Sequence, residues 1–451
     1  MKSIGIDLGT TTISINVVED SGPRVWRKLT LPNDGFLATD HPWERVQDPD
    51  RIVHRAKTAL EELLAEETDI GSIGLTGQMH GIVYVDEQGR GVSPLYTWQD
   101  GRGDLPDFEG KSVCQLLREQ QGIKAASGYG VITHLYLLKK GLVPPQAVSF
   151  CTIADYLGMA LTGRTRPLLH GSQAASLGLF QGETLTFRED LVRPWGMDPS
   201  FFPEVTGELK LLGEFRGIPV SVSLGDNQAS FFGSVRQAED TLLVNVGTGA
   251  QISVLFPRFV DLPGLEARPF LGNTVLLVGA TLCGGAAYAA LEGFFREYAV
   301  AAGAPDVPQY AVMQSLLEAQ EDLSSPWQVR TTFSGTRENP REAGSIQGIR
   351  RENFHPAQLI RGVLSGMAQE LYQLYETMHR ELGVSRSLLV ASGNGVRQNA
   401  FLQTILAHRF HMPLELVENQ EEAAFGAAIS ALAAIGKLSP EKWLGMREST
   451  L

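Results

Sequence analysis

Apolar and polar positions alternate with a period of two at the start of the chain. Ile4, Ile6 and Leu8 are followed by a Gly-Thr turn, and Ile13, Ile15 and Val17 continue on the other side. This spacing predicts a β-hairpin whose tip is Gly9, Thr10 and Thr11. Roughly half the chain later the pattern returns: Val244, Asn245, Val246, Gly247, Thr248 and Gly249 lead into Ile252, Val254 and Phe256. Each tip offers backbone N–H groups and a hydroxyl, and glycine lets a ligand come close, so both tips suit phosphate oxygens. Two such tips predict two halves of a nucleotide cleft.

The elements between the hairpins follow helical and strand periods in turn. Ile52, Val53, Ala56, Leu60, Leu63 and Leu64 predict a helix over 50–66. Ser72–Leu75 and Ile82–Val85 read as strands on either side of the polar loop Thr76–Gly81. Pro219–Leu224 reads as one strand ending at Gly225, Asp226, Asn227 and Gln228, with a helix beginning near Ala229. The charged stretch Val235–Asp240 then marks a boundary, giving domains 1–236 and 237–451. In the second half a long apolar stripe predicts a helix from Pro356 to Leu382, ended by Gly383. A strand over Leu388–Ala391 breaks into Ser392, Gly393, Asn394 and Gly395, and helices follow over Gln398–Phe410 and Glu421–Ile435.

Length agrees with two domains, since 451 residues exceed what one core supports. The 38 basic and 51 acidic residues leave a formal charge of −13, which argues against nucleic acid or an anionic membrane as partner. A small metabolite is the simpler ligand. Cys114, Cys151 and Cys283 are odd in number and have no metal spacing, which fits a reduced, cytoplasmic compartment. Lys2 is followed at once by Ile4 and Ile6, leaving no room for a secretion signal, and no apolar run is long and uninterrupted enough for a membrane span.

Candidate chemistry gathers at the ends of these strands, and each residue has a plainer reading. Asp7, beside two threonines, could hold hydrated Mg²⁺ while the turn cradles phosphate, or it could simply cap its own hairpin. In the second copy Asn245 replaces the acid. Asp226 could take the proton from a substrate hydroxyl, or serve as the N-cap of the helix after it. Gln78, His80, Trp98, Gln99, Asp100 and Arg102 mix polar and aromatic groups as sugar recognition requires. Otherwise Trp98 is core and Asp100 with Arg102 a surface ion pair. Gly393, Asn394 and Gly395 could pass close to an adenosine, although Gly-rich strand-to-helix turns are common. His408 and His411 lack an acid or cysteine that would complete a metal set.

Taken together these motifs resemble the FGGY family of carbohydrate kinases over nearly the whole chain. The elements are Asp7–Thr11, Gly77–Gly81, Trp98–Arg102, Asp155–Gly163, Gly225–Ala229, the second hairpin, Ser392–Gly395 and Ala423–Ala428. Gly-Gln-Met-His-Gly at 77–81, Thr-Trp-Gln-Asp-Gly-Arg at 97–102 and Gln-Ala-Ala-Ser at 173–176 are most similar to the members acting on sedoheptulose; those acting on xylulose share Gln-Met-His-Gly. The resemblance implies an α/β fold of two RNase H-like domains, as in sugar kinases, actin and heat-shock ATPases, with an interdomain cleft. It implies ATP-dependent phosphorylation of a ketose with Mg²⁺, Asp226 being the base and Asp7 the metal-side carboxylate. Gly9, Thr10, Thr11, Gly247 and Thr248 would line the phosphates, and Gly344, Gly393 and Asn394 the nucleoside. Gln78, Met79, His80 and Trp98, with Asp226, would hold the sugar. The partners implied are the sugar and ATP, with room for a homodimer. Two positions depart from the pattern: His134 stands where many members have lysine and Gly171 where aspartate is frequent. The alternatives are a pentulose kinase of the same family, xylulokinase among them, and a nucleotide-gated binding protein of the actin and heat-shock fold.

Overall fold

In a computed structural model, which describes residues 1–123, 125–319, 327–336, 339, 341–419 and 421–446, each half of the chain is built on its own sheet. The first sheet runs Leu211–Phe215, Ile218–Ser221, Ile70–Gly77, Lys2–Leu8, Thr12–Glu19, Val25–Pro32, with Leu224–Gly225 also paired to Ile70–Gly77. The second runs Leu265–Pro269, Val275–Thr281, Ala250–Phe256, Thr241–Val246, Leu388–Ser392, Leu414–Leu416. In both, the leading hairpin strand pairs antiparallel with its successor and parallel with a strand from much later. The half-chain echo is therefore a topological repeat, and it puts the two turns at corresponding sheet ends. Asp7 stands opposite Thr76 in the first sheet as Asn245 stands opposite Ser392 in the second.

The predicted helices form with small shifts at their ends. Asp48 caps the first, Pro49–Glu66, by accepting from the Arg51 amide, and Ile52, Val53, Ala56, Leu60 and Leu63 are buried. Pro356–Leu382 has proline in its first turn and ends on Gly383 in the left-handed region, φ 68°. The expected strand Pro219–Leu224 is instead two pieces, Ile218–Ser221 and Leu224–Gly225. The break falls where the Ser223 hydroxyl donates to the buried Asp155 carboxylate at 2.5 Å. The expected helix start at Ala229 moves to Asp226, and that at Gln398 becomes a short turn Asn394–Arg397 followed by Ala400–Phe410.

The last long helix, Glu422–Ala434, comes from the second half but lies on the first sheet. It packs against Lys2–Leu8, Ile70–Gly77 and the helix Asp226–Ser234. The approach is backbone on backbone. A Cβ on Gly5 would stand 1.9 Å from the Ala424 carbonyl oxygen, one on Gly74 1.8 Å from that of Ala427, and one on Gly426 1.8 Å from that of Ala229. The Ser3 hydroxyl adds a hydrogen bond to the Ala428 carbonyl at 3.0 Å. Small residues on three elements thus let the helix sink between sheet and helix, and the aromatic core of Phe231, Phe232, Phe270 and Phe425 joins the two halves beneath it.

Gly426→Ala should destabilise the protein by about 1–3 kcal/mol through overpacking. Gly293→Ala, placed mid-helix in open space, should instead stabilise it by about 0.5–1 kcal/mol. Urea unfolding midpoints of the two variants check this; a neutral Gly426→Ala would contradict the close packing.

Candidate active site

The first hairpin tip is braced from three sides. Asn33 Nδ2 donates to the Gly9 carbonyl at 2.8 Å and Gln47 Nε2 to the Thr10 carbonyl at 2.9 Å. Trp98 Nε1 donates to Thr10 Oγ1 at 3.0 Å. The second tip is braced by the start of the helix Gly285–Ala301, whose Gly285 amide donates to the Gly247 carbonyl at 2.8 Å and Ala286 amide to that of Thr248 at 3.0 Å. A Cβ on Gly284 would lie 2.4 Å from Gly249 and one on Gly285 2.6 Å from the Gly247 oxygen, so only glycines permit this contact. A long helix therefore begins beside the second tip, with its first amides bonded to the tip's own carbonyls and its dipole favouring an anion there.

A cavity of about 690 Å³ opens from that tip. Thr248, Gly285 and Asn394 line it, and Tyr288, Tyr310 and Phe401 supply aromatic walls. The Tyr288 and Tyr310 rings stack at 5.6 Å. Apolar walls with a few amides suit a flat, partly polar ring system next to an anion. Of the residues expected at the nucleoside, Asn394 lines the cavity and Gly393 caps the turn beside it, with φ 88° and its Cβ position 2.5 Å from the Val246 oxygen. Gly344 is not among the lining residues, because its close contact is with Phe333, ahead of the strand Ser345–Gln347.

Across the cleft, Asp7 and Asp226 share one field. Burial, then repulsion from Asp226 and Glu421, pushes the Asp7 carboxyl up to about 8. Asp7 Oδ1 is buried without a partner among the described residues. Asp226 is the first residue of its helix; Gly225 holds the capping position and no side chain caps it, so the N-cap alternative falls away. Burial raises the Asp226 carboxyl, while the Asn227 amide and the charge of Arg268 oppose the rise.

Further buried polar atoms without partners among the described residues include Gln78 Oε1, Gln173 Oε1 and, on the two residues that follow Asp226, Gln228 Oε1 and both polar side-chain atoms of Asn227. Gln78 Nε2 donates to Gln47 Oε1 at 2.8 Å, and the Met79 thioether packs against Gly225. His80 sits at φ 72°, with its amide bonded to Ser176 Oγ and its ring stacked on Tyr129 at 4.8 Å. Its Nδ1 must carry the proton, because its partner at 2.7 Å is the Ser176 carbonyl.

Two of the plainer readings are overturned, each in the opposite sense. Trp98 is 47% exposed at the cleft, held by Thr10, and is no core residue. Asp100 and Arg102 form a buried, two-pronged pair at 2.6 and 3.0 Å under Tyr96, which fixes the loop that carries Trp98. His134 is a core residue bonded to the Tyr84 hydroxyl at 2.8 Å, and burial pulls it down to about 4. Gly171 opens the short helix Gly171–Ser176, its Cβ position 2.8 Å from the Leu185 side chain. Among the described residues no group of three or more His, Cys, Asp or Glu could hold a metal, His408 and His411 included.

Sequence reasoning missed Tyr129, Arg268, Glu421 and the pair Gly284–Gly285. The last carries a usable signal, two adjacent glycines after the strand Val275–Thr281 and at the start of the helix Gly285–Ala301. Glu421, at φ 63°, accepts from Ser14 Oγ at 2.7 Å, and its carbonyl accepts from Asn16 Nδ2 at 3.2 Å.

The model for the N-terminal domain of the FGGY family of carbohydrate kinases matches residues 3–233, and that for its C-terminal domain matches 255–435. Sedoheptulokinase of Mus musculus is 27% identical over 95% of this chain and 97% of its own length. A xylulose kinase of Staphylococcus epidermidis is 25% identical over 96% and 88%. The crystal structure of xylulose kinase from Rhodospirillum rubrum superposes with a TM-score of 0.83 at 20% identity, covering 99% of this chain and 92% of that one, and shares the fold.

The folded protein without metal or nucleotide holds a proton on Asp7 that an unfolded carboxyl has already lost near pH 4. The part of its stability that Asp7 contributes should therefore be lost as pH rises from about 4 to about 8. Asp7→Asn should flatten this slope and stabilise the unliganded protein at pH 9 by more than ~1 kcal/mol, the equivalent of a single unit of pKa shift. Denaturant titrations at pH 5 and 9 measure it; equal slopes in both proteins would contradict the raised carboxyl.

Proposed function

The chain belongs to the FGGY family of carbohydrate kinases, and from that premise we propose that it transfers the γ-phosphoryl group of ATP to a ketose, sedoheptulose first, yielding sedoheptulose 7-phosphate and ADP. Membership in a kinase family sets aside the nucleotide-gated binding protein. The seven-carbon sugar is favoured by sedoheptulokinase of Mus musculus, which matches nearly end to end; xylulose is the next candidate. The boundary at 236 and 237 separates the sugar half from the nucleotide half. A reducing cytoplasm agrees with three buried free thiols.

The observation that carries this reading is Asp226 itself. It stands at a helix start with no capping duty, next to Asn227 and Gln228, whose side-chain oxygens have no partner among the described residues, and within the field of Asp7. Asp226 accepts the proton of the sugar hydroxyl as that oxygen bonds to the γ-phosphorus, and the bond from phosphorus to the bridging β-oxygen breaks to release ADP. Gln78 and His80 orient the hydroxyls while Trp98 and Met79 cover the carbon chain. Thr10, Thr11 and the Gly9 turn face the phosphates from one half, Gly247 and Thr248 from the other. Gly393 and Asn394 hold the nucleoside beside the cavity.

The residues fit a divalent cation: an unpartnered, buried carboxylate oxygen of Asp7 lies in a field of acids. Mg²⁺ takes one or two carboxylates and completes its shell with phosphates and water, as a site lacking three protein ligands requires. When bound it neutralises charge on the phosphates.

ADP formation should depend on added sugar. In a coupled assay with sedoheptulose, xylulose, ribulose and glycerol, sedoheptulose should give the highest kcat/KM. A higher value for xylulose would replace the substrate within the same family, and hydrolysis indifferent to every sugar would defeat the reading.

A further inference from the structure

The strand Leu265–Pro269 belongs to the second sheet, where it pairs with Val275–Thr281. Its end is nevertheless seated on the first half. Gln228 Nε2, two residues beyond Asp226 on the same helix, donates to the Pro269 carbonyl at 3.0 Å, and the strand packs on the helix Gly171–Ser176. Immediately before this anchor comes Arg268. Its Nε and Nη2 both donate to Glu266 Oε2, at 2.9 and 2.6 Å, which is possible because residues two apart on a strand share a face. That bond fixes one edge of the guanidinium and leaves Nη1 with no hydrogen-bond partner among the described residues. The guanidinium lies within the electrostatic reach of Asp226 and of Tyr129, the ring stacked on His80.

An arginine placed here could serve the phosphoryl group or the sugar. Glu266 decides between them, since its bonded carboxylate offsets part of the guanidinium charge and repels an anion, while neutral hydroxyl oxygens still gain from an oriented N–H donor. We propose that Arg268, held by Glu266, donates to the ketose hydroxyl adjacent to the one phosphorylated, so that the sugar is read from both halves of the cleft. This rests on Asp226 marking the phosphorylated end. Arg268 is then a specificity residue, engaged only where the edge strand of the nucleotide half meets the sugar half.

The test compares wild type, Arg268→Met and Glu266→Gln on two pairs of probes, sedoheptulose with 6-deoxysedoheptulose and xylulose with 4-deoxyxylulose. On the ketose that wild type turns over best, Arg268→Met should lose about tenfold to hundredfold in kcat/KM, mainly through KM, as for a hydrogen bond to a charged donor. Wild type should lose a similar factor on the deoxy analogue, and Arg268→Met should barely distinguish the two sugars, which is the non-additivity of one shared contact. Glu266→Gln should shift in the same direction by less. Unchanged stabilisation by ADP in a thermal melt shows that the variants remain folded. Equal loss in kcat on both sugars at unchanged KM would assign Arg268 to the phosphoryl group and overturn the proposal. So would an undiminished preference for the full sugar in the variant, with the kinase reading left standing. Failure of wild type to phosphorylate any of the four probes would remove both.

Discussion

Everything at the cleft depends on how closely the helix Glu422–Ala434 can lie on the first sheet. Its carbonyls approach Gly5 and Gly74 so nearly that any side chain at those positions would collide with backbone, and its own Gly426 meets the Asp226 helix in the same way. One helix thereby sets the distance between the strand that carries Asp7 and the helix that carries Asp226. At its start, Glu421 is pinned to Ser14 and Asn16 on the neighbouring strand, which brings a third carboxylate into the field of Asp7. Packing and electrostatics are here the same constraint, because the element that fixes the geometry also supplies charge.

The cleft keeps several polar groups unsatisfied, each at a cost of about 1–3 kcal/mol when buried without a partner. Among the described residues, Asp7 Oδ1, Asn227 and the amide oxygens of Gln78, Gln173 and Gln228 are all of this kind. Such atoms are ordinarily avoided in a folded interior. Their presence on Asp7, on the two residues after Asp226 and on Gln78 is intelligible when a polyol and a phosphorylated nucleotide complete their hydrogen bonds, and it agrees with membership in a family of carbohydrate kinases.

Much of this was legible from period and spacing. The two hairpins, the stripe of Pro356–Leu382 and the turn at Gly393 follow from local pattern, and local pattern is what a single chain displays. What lay hidden depends on what covers what. An alanine-rich stripe over 422–434 does not say which sheet it meets, so a helix at the end of the second half could not be placed on the first. Asp100 and Arg102, two residues apart, look like a surface pair until the Tyr96 ring is laid over them. Trp98 looks like core until its indole N–H is found on Thr10. Arg268 stands on an edge strand far in sequence from Asp226, and only the bond from Gln228 to Pro269 brings the two together.

The central claim is that Asp226 performs the proton transfer. Its most direct measure is the rate of sugar-dependent ADP formation by Asp226→Asn, beside the affinities for ATP and for the sugar. The rate should fall about 10²–10⁴-fold while both ligands still bind, because the amide keeps the shape of the carboxylate but cannot take the proton. A variant turning over at near the wild-type rate would contradict the account.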